Sequence, residues 1–296
     1  MYDAFYFYLF AAFSFALGCC IASFLNVCIW RLPREESVVS PPSHCPNCNA
    51  RIKWHQNIPI LSWCFLRGRC ASCGKPISPR YICVEMLGGF LFLAAYLQWT
   101  AGSVVLRAPS SAWALGMAPF GDLAMLPVEW LIVSGLILGS FIDLDHFYLP
   151  DRVTIGGMAL GVPLSVLCPE LQGETTRIAA LTSSLEGLAF GFFFMWGMGW
   201  MFSKFFKREA LGFGDVKLMG AVGAFFGPLA VLFTLIASSV TGSLAGMALL
   251  LKGRARLGGF TAVPYGPFIA VGALVWMYWG PVLVRLYLGA LSVRPA

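Results

Sequence analysis

The stretch Gly139-Ser-Phe-Ile-Asp-Leu-Asp-His-Phe-Tyr-Leu-Pro-Asp151 ends an apolar run at about 126–144 on a set of carboxylates. Its counterpart, Gly212-Phe-Gly-Asp-Val-Lys217, opens another apolar run. A carboxylate at membrane depth costs about 2.5–3.5 kcal/mol on insertion scales, so its default reading is a functional site. If helices bring Asp143 and Asp215 together, they form a dyad able to split a peptide bond with water.

Working outward, 58% of the 296 residues are hydrophobic and 11% are charged. A soluble domain averages about 25% charged residues. The expectation is an all-α, polytopic integral membrane helix bundle in a lipid bilayer. The first run, Phe5 to Trp30, is too long for a signal-peptide core and lacks a positive leader, so it reads as a span that stays. Further spans are expected at about 82–99, 126–144, 153–168, 183–203, 216–227, 229–251 and 263–290. A span needs about 20 apolar residues, so 153–168 and 216–227 are short. Gly227-Pro228 reads as a turn between two helices or a kink inside one. Eight helices is the preferred count, with seven as the alternative.

The net charge of +6 does not point to nucleic acid, because the cations form no stripe or face. They fall in particular loops. The 31–80 loop holds Arg31, Arg34, Arg51, Lys53, Arg67, Arg69, Lys75 and Arg80. Arg152 follows the first aspartate motif, and Lys204, Lys207, Arg208 and Lys217 surround the second. Lys252, Arg254 and Arg256 fill a later loop. The opposite loops carry only Arg107 and Arg177; Arg285 and Arg294 belong to the C-terminal helix and tail. With eight spans the clusters share one side, which the positive-inside rule makes cytoplasmic. Both aspartates then sit at cytoplasmic helix ends, and the N-terminus lies outside.

Residues 31–80 form one substantial polar insert between a first span (1–30) and a membrane core (81–296). It carries Cys45-Pro-Asn-Cys48 and Cys70-Ala-Ser-Cys73, separated by 21 residues. Two such knuckles present four thiolates to one tetrahedral zinc ion. Four protein thiolates leave no open position, so the metal reads as structural. A short segment with few large apolar side chains gains its fold from binding worth about 10–16 kcal/mol. Disulfides need an oxidising compartment, whereas the charge pattern places this loop in the cytoplasm. His44 and His55 are nearby substitutes for a ligand. The other six cysteines (Cys19, Cys20, Cys28, Cys64, Cys83 and Cys168) lack ligand spacing and read as packing residues.

Taken singly, each aspartate motif has an ordinary reading. Asp215 follows Gly214 and suits an N-cap; Asp143, Asp145 and Asp151 suit boundary charges. Jointly they favour a site, because both lie on one side and follow glycines that let helix backbones approach closely. Asp143, preceded by Phe-Ile, is the most deeply embedded of its group. Asp145 turns to another helix face, Asp151 after Pro150 suits the cap of the next helix, and Lys217 suits a snorkelling anchor. His146 is a candidate metal ligand or proton shuttle.

These motifs, in this order, resemble the type IV prepilin leader peptidases, membrane aspartyl proteases of type IV pilus and type II secretion systems. Gly18 to Pro33 resembles the exit of the family's first helix, with Ala22-Ser-Phe-Leu-Asn26 where the family has Gly-Ser-Phe-Leu-Asn. The paired-cysteine insert encloses Asn57-Ile-Pro59, and Arg80-Tyr81 and Val84-Glu85 follow. Ile142 to Asp151 matches the first catalytic motif, Gly212-Phe-Gly-Asp215 the second, and Pro264-Tyr-Gly-Pro-Phe268 the closing motif. Presenilin-type proteases also carry the Gly-x-Gly-Asp element, so the set weighs more than that element alone.

The resemblance implies that 81–296 is an aspartyl protease core with Asp143 and Asp215 catalytic, and that Cys45, Cys48, Cys70 and Cys73 hold zinc. It implies substrates that are type IV prepilins or pseudopilins, cut after a glycine at the cytoplasmic face of the bacterial inner membrane. It further implies N-methylation of the new amino terminus with S-adenosylmethionine, for which the sequence shows no glycine-rich fingerprint. The competing readings are an ion- or proton-coupled transporter using Asp143, Asp145 and Asp215, and a non-catalytic assembly protein.

Overall fold

In lipid every backbone N–H and C=O must be satisfied internally, and a helix does this within one segment. The long apolar runs obey that rule in the computed structural model, which describes residues 2–102, 120–207, 211–252 and 263–292. Arg107, Arg208, Arg254, Arg256 and Arg294, all counted in the charge reading, lie outside the described residues. The helices are α1 (Tyr2–Arg31), the short α2 (Leu61–Phe65), α3 (Arg80–Gly102), α4 (Phe120–His146), α5 (Asp151–Leu167), α6 (Arg177–Phe206), α7 (Phe213–Leu251) and α8 (Gly266–Ser292). Among the described residues there is no strand, only two isolated bridges in the insert. The protein is an all-α, multi-pass membrane protein.

Among the described residues, five helices are long and apolar enough to cross a bilayer: Ala4–Arg34, Arg80–Thr100, Ala124–His146, Arg177–Phe205 and Phe213–Leu251. The expected count of eight spans is therefore not established. Three expected segments account for the difference: 153–168, 216–227 and the last, at 263–290, of which Gly266–Gly280 is found as a shorter apolar helix. The 17 residues of α5 reach about 25 Å, less than the roughly 30 Å hydrocarbon core, and the segment before Gly227 is shorter still.

By its internal contacts the chain divides into two compact units. Unit 1 comprises Met1–Thr100 and Glu129–Leu138; unit 2 comprises Ala101–Val128 and Gly139–Ala296. In unit 1, α1 and α3 touch backbone to backbone: a Cβ added at Gly18 would fall 2.5 Å from the Gly88 carbonyl oxygen. The Phe92 ring stacks on Trp130 at 5.2 Å, and the Trp130 indole N–H donates to the Phe92 carbonyl. At the other end of α3, the Asn26 amide donates to the Tyr81 carbonyl at 3.2 Å.

Unit 2 is organised by α7, which is two arms rather than one rod. Gly227 has φ 81° and ψ 179°, outside the helical region and open to glycine. A Cβ at Gly191 of α6 would lie 2.5 Å from the Met219 carbonyl oxygen and 3.2 Å from Val231 Cγ2. Along a straight helix those two residues are about 18 Å apart. One point touches both only because the chain turns back at Gly227. The first arm, 213–226, is buried almost without interruption from Asp215 to Phe226. A helix apolar all round belongs inside a bundle, and this one is enclosed by α5 and α6.

Pro228 has no N–H, so the carbonyl four residues earlier, at Ala224, loses its helical donor. Three side chains replace it. Ser165 of α5 donates to that oxygen at 2.9 Å, Gln172 at 2.9 Å and Ser184 of α6 at 2.6 Å. Ser183 donates to the other end of Gln172 at 3.1 Å. The turn is thus anchored to three separate segments.

The α6–α7 crossing has no spare room. A Cβ at Gly223 would fall 2.0 Å from the Gly187 carbonyl oxygen, whereas one at Gly246, further along α7, meets nothing within 4 Å. We predict that Gly223→Ala lowers stability by about 3 kcal/mol or more. Gly246→Ala should be neutral or stabilising by up to about 1 kcal/mol. Thermal unfolding of the two variants in detergent checks this; equal midpoints would contradict the crossing.

Candidate active site and cysteine cluster

Asp143 lies in the last turn of α4, and Asp215 in the first turn of α7. The N-cap of α7 is Gly212, not Asp215; the Asp215 N–H returns to the Gly212 carbonyl at 3.1 Å. Asp215 stands at the third helical position, and its carboxylate reaches back to the Gly212 backbone. Both carboxylates are buried, at 6% and 8% exposure, while Asp145 and His146 are exposed. They sit close enough to interact through their charges.

Leu149 sets the approach of the two motifs. Its side chain lies against Gly139 of α4 on one side and Gly214 of α7 on the other, where an added Cβ would fall 2.9 Å from Leu149 Cβ. Large side chains at either glycine would hold the motifs apart.

A third segment completes the site. The backbone N–H of Gly266, the first residue of α8, donates to Asp143 Oδ2 at 2.9 Å. A Cβ at Gly266 would lie 2.8 Å from the same oxygen. The unsatisfied amides at a helix start favour negative charge, so one carboxylate oxygen has a fixed donor. Sequence reasoning quoted Pro264–Phe268 as a motif but gave it no chemistry; only the contact across the fold reveals it.

The neighbouring charges settle differently from the sequence expectation. Asp151 does not cap α5, whose N-cap is Pro150; it stands in the first turn. There it pairs with Lys217, which is not a free surface anchor. Lys217 is thereby engaged by Asp151 rather than by Asp143 or Asp215. Two carboxylates in one such site share a proton, so one stays acidic while the other takes a proton from water.

The four cysteines converge in unit 1. The sulfurs of Cys45, Cys48, Cys70 and Cys73 all lie within 4.8 Å of one another, with Cys45 Sγ and Cys73 Sγ at 4.0 Å. A tetrahedral zinc with Zn–S of about 2.3 Å has sulfur–sulfur edges of about 3.8 Å, so the cluster can hold that ion. The two knuckles repeat one hydrogen-bond pattern. Cys45 N–H bonds Ala50 and Asn49 N–H bonds Cys45; Cys70 N–H bonds Lys75 and Gly74 N–H bonds Cys70. Asn49 (φ 55°) and Gly74 (φ 70°) occupy the same left-handed position, as the two residue types that tolerate it best. The Ser72 N–H donates to Cys70 Sγ at 3.4 Å, a contact that favours the ligating thiolate. Neither His44 nor His55 belongs to the cluster.

The insert is fastened to the helices by residues that the motif reading left without roles. Buried Arg31 donates to the Ser37 and Pro41 carbonyls at 2.9 and 2.8 Å. Glu85 of α3 accepts the N–H of Ile60 at 2.8 Å. Ile60 has φ 62°, a costly conformation for a β-branched residue, held by that contact.

Comparison with known proteins adds independent findings. Residues 16–99 match the bacterial peptidase A24 N-terminal domain, and residues 130–247 the type IV leader peptidase family. A protein of Myxococcus xanthus named prepilin leader peptidase/N-methyltransferase is 39% identical over 248 residues, 83% of this chain; the chain spans 65% of that relative's length. One of the same name from Stutzerimonas stutzeri is 32% identical over 93% of this chain and 92% of its own. An Escherichia coli protein named type 4 prepilin-like proteins leader peptide-processing enzyme is 34% identical over 88% of this chain and 91% of its own. No solved structure matches the chain.

Proposed function

We propose that this chain, which belongs to the type IV leader peptidase family, is a membrane aspartyl endopeptidase that removes the short basic leader of type IV prepilins or pseudopilins. Asp143 and Asp215 are its catalytic pair. The observation that carries the proposal is the burial of both carboxylates together, with the Gly266 amide fixing one of them. One aspartate removes a proton from the attacking water. The other, protonated, hydrogen-bonds the scissile carbonyl and then helps protonate the leaving amine. The charge distribution along the chain favours cleavage at the cytoplasmic face of the bacterial inner membrane. The transporter alternative finds no support among the relatives, and it leaves the cysteine cluster without a part.

The second half of the proposal is methylation of the new amino terminus with S-adenosylmethionine, supported by the name of the relatives. A cavity of about 360 Å³ in unit 1, walled by Phe24, Arg31, Pro41, Asn57 and Pro59, has the volume for such a donor. Its guanidinium, however, is engaged by two backbone carbonyls, so the donor is assigned no residues. The cysteine cluster is proposed to bind one structural zinc ion.

Co-expression with a prepilin substrate, followed by mass spectrometry of the processed N-terminus, tests both halves. The expected result is one new N-terminus at a single bond, about 14 Da heavier than the unmodified peptide if methylated, because one N–H hydrogen is replaced by a methyl group. An unprocessed leader in well-expressed protein contradicts the protease reading. A processed but unmethylated terminus removes only the second half. Gly266→Ala should slow cleavage by about 10- to 100-fold with the fold retained, because its Cβ displaces Asp143. Unchanged turnover would remove Gly266 from the site.

A further inference from the structure

The polar insert exposes a set of large apolar side chains. Trp54 and Phe65 are each 83% exposed, and Ile58 and Leu61 are exposed between them in the chain. The short helix α2 has two distinct faces. Trp63 turns to the second knuckle, where a Cβ on Gly68 would fall 2.8 Å from its ring and its indole N–H donates to the Ile77 carbonyl at 3.4 Å. Leu61 and Phe65, four residues apart, share a face that the knuckle leaves uncovered. The helical turn Trp54–Gln56 packs beside α2 and adds its indole to the set. Apolar groups gathered this way, with a polar surround, mark an interaction surface.

The attachment of the insert says what that surface meets. Ile60, which precedes α2, donates its N–H to Glu85 of α3. That span begins at Arg80, so the contact lies five residues, about 7 Å, inside its first residue. An amphipathic segment resting on a bilayer buries its apolar face about 5–10 Å into the boundary between headgroups and acyl chains, which is the same depth. The insert also runs beside α1: the 360 Å³ cavity has Cys20, Phe24 and Arg31 on one wall and Asn57 and Pro59 on another. Charge gives the chemistry of the surface. From Ser37 to Pro79 the chain carries Arg51, Lys53, Arg67, Arg69 and Lys75 and no Asp or Glu, and all five cations are exposed. Lys53 adjoins Trp54, and Arg67 stands two residues past Phe65. Aromatic and aliphatic groups flanked by cations complement an anionic phospholipid surface.

We propose that Trp54, Leu61 and Phe65 dock the insert onto the anionic surface of the same bilayer that α1 and α3 cross, with Lys53 and Arg67 at the headgroups. The insert is then held flat against the membrane. The inference rests on the membrane-spanning helices and not on the protease reading, so either fails without the other.

The test uses the full-length protein in vesicles of phosphatidylcholine and phosphatidylglycerol, with a photo-crosslinking phenylalanine analogue in place of Phe65 or, separately, of Trp54. Intact-protein mass spectrometry after irradiation reads the adduct. Each position should capture phospholipid at about fivefold or more the yield of the same analogue at Ser72, an exposed position on the second knuckle. Replacing phosphatidylglycerol with phosphatidylcholine should lower the yield at position 65 about threefold or more. Because both side chains are exposed, neither replacement disturbs a core, and the second position keeps the test decisive if one variant expresses poorly. Lipid yields no higher than at Ser72, or crosslinks that join two copies of the chain instead, would overturn the docking. A yield indifferent to lipid charge would overturn the anionic surface as the partner.

Discussion

Asp143→Asn and Asp215→Asn each lower cleavage of a prepilin substrate by at least about a thousandfold, while the protein remains folded and membrane-inserted. Asparagine preserves the size of aspartate but neither takes nor supplies the proton that the reaction moves. Folding is spared because both side chains lie at helix ends, and the donor to Asp143, the Gly266 amide, is equally satisfied by an amide oxygen. The same substitution at Asp145 or Asp151 changes the rate by a few-fold at most. Asp145 is exposed, and the Asp151–Lys217 pair has its carboxylate 60% exposed, where ion pairs contribute about 0–1 kcal/mol. Cleavage time courses in membranes decide this. Losses of similar size at all four positions would mean that the site lies elsewhere.

Cys45→Ser or Cys73→Ser abolishes zinc binding and unfolds the insert. Metal analysis of the purified parent protein should give about one ion per chain, and either variant close to none. The short α2 and two knuckles offer little apolar burial of their own: Cys45 is the one buried hydrophobic residue between Ile29 and Val84. Zinc bound at the four cysteines would supply about 10–16 kcal/mol, most of what the segment needs to order. Trypsin then cuts faster at Arg51, Lys53, Arg67, Arg69 or Lys75, whose side chains are exposed but whose backbone the folded insert holds in place. Full metal content with unchanged trypsin resistance in the variants would contradict the cluster as a zinc site.

The parts of the site that depend on residue type and local spacing were legible in the sequence. Asp143 stands out in the sequence by its depth in an apolar run; in the structure it is buried, while Asp145 and His146 are exposed. The cysteine knuckles were legible because a four-thiolate site imposes its own spacing. The rest depends on contacts between distant segments. Gly266 meets Asp143 across 123 positions, and a helix-start amide has no side-chain signature. The turn at Gly227 was ambiguous because a Gly-Pro pair serves kinks and turns equally. What resolves it is the Ala224 carbonyl and its donors Ser165, Gln172 and Ser184, which are spread over three segments. Asp151 and Lys217 each looked like a boundary charge, and only the fold pairs them.

The span count shows the same limit from the other side. Hydropathy identifies segments that are apolar, but it does not separate a helix facing lipid from one enclosed by protein. The first arm of α7 is too short to cross on its own and is buried almost throughout. Enclosure, not length, is what makes it stable at membrane depth, and it places Asp215 away from lipid.

The most direct test of the central claim is a double-mutant comparison of Asp143→Asn, Asp215→Asn and the combined variant. Residual cleavage is followed at high enzyme concentration over long times. Two aspartates acting on one water lose their function together, so the combined variant should retain the same residual rate as either single variant, within about threefold. A combined loss equal to the product of the two separate losses would show that they act independently, and would contradict the dyad.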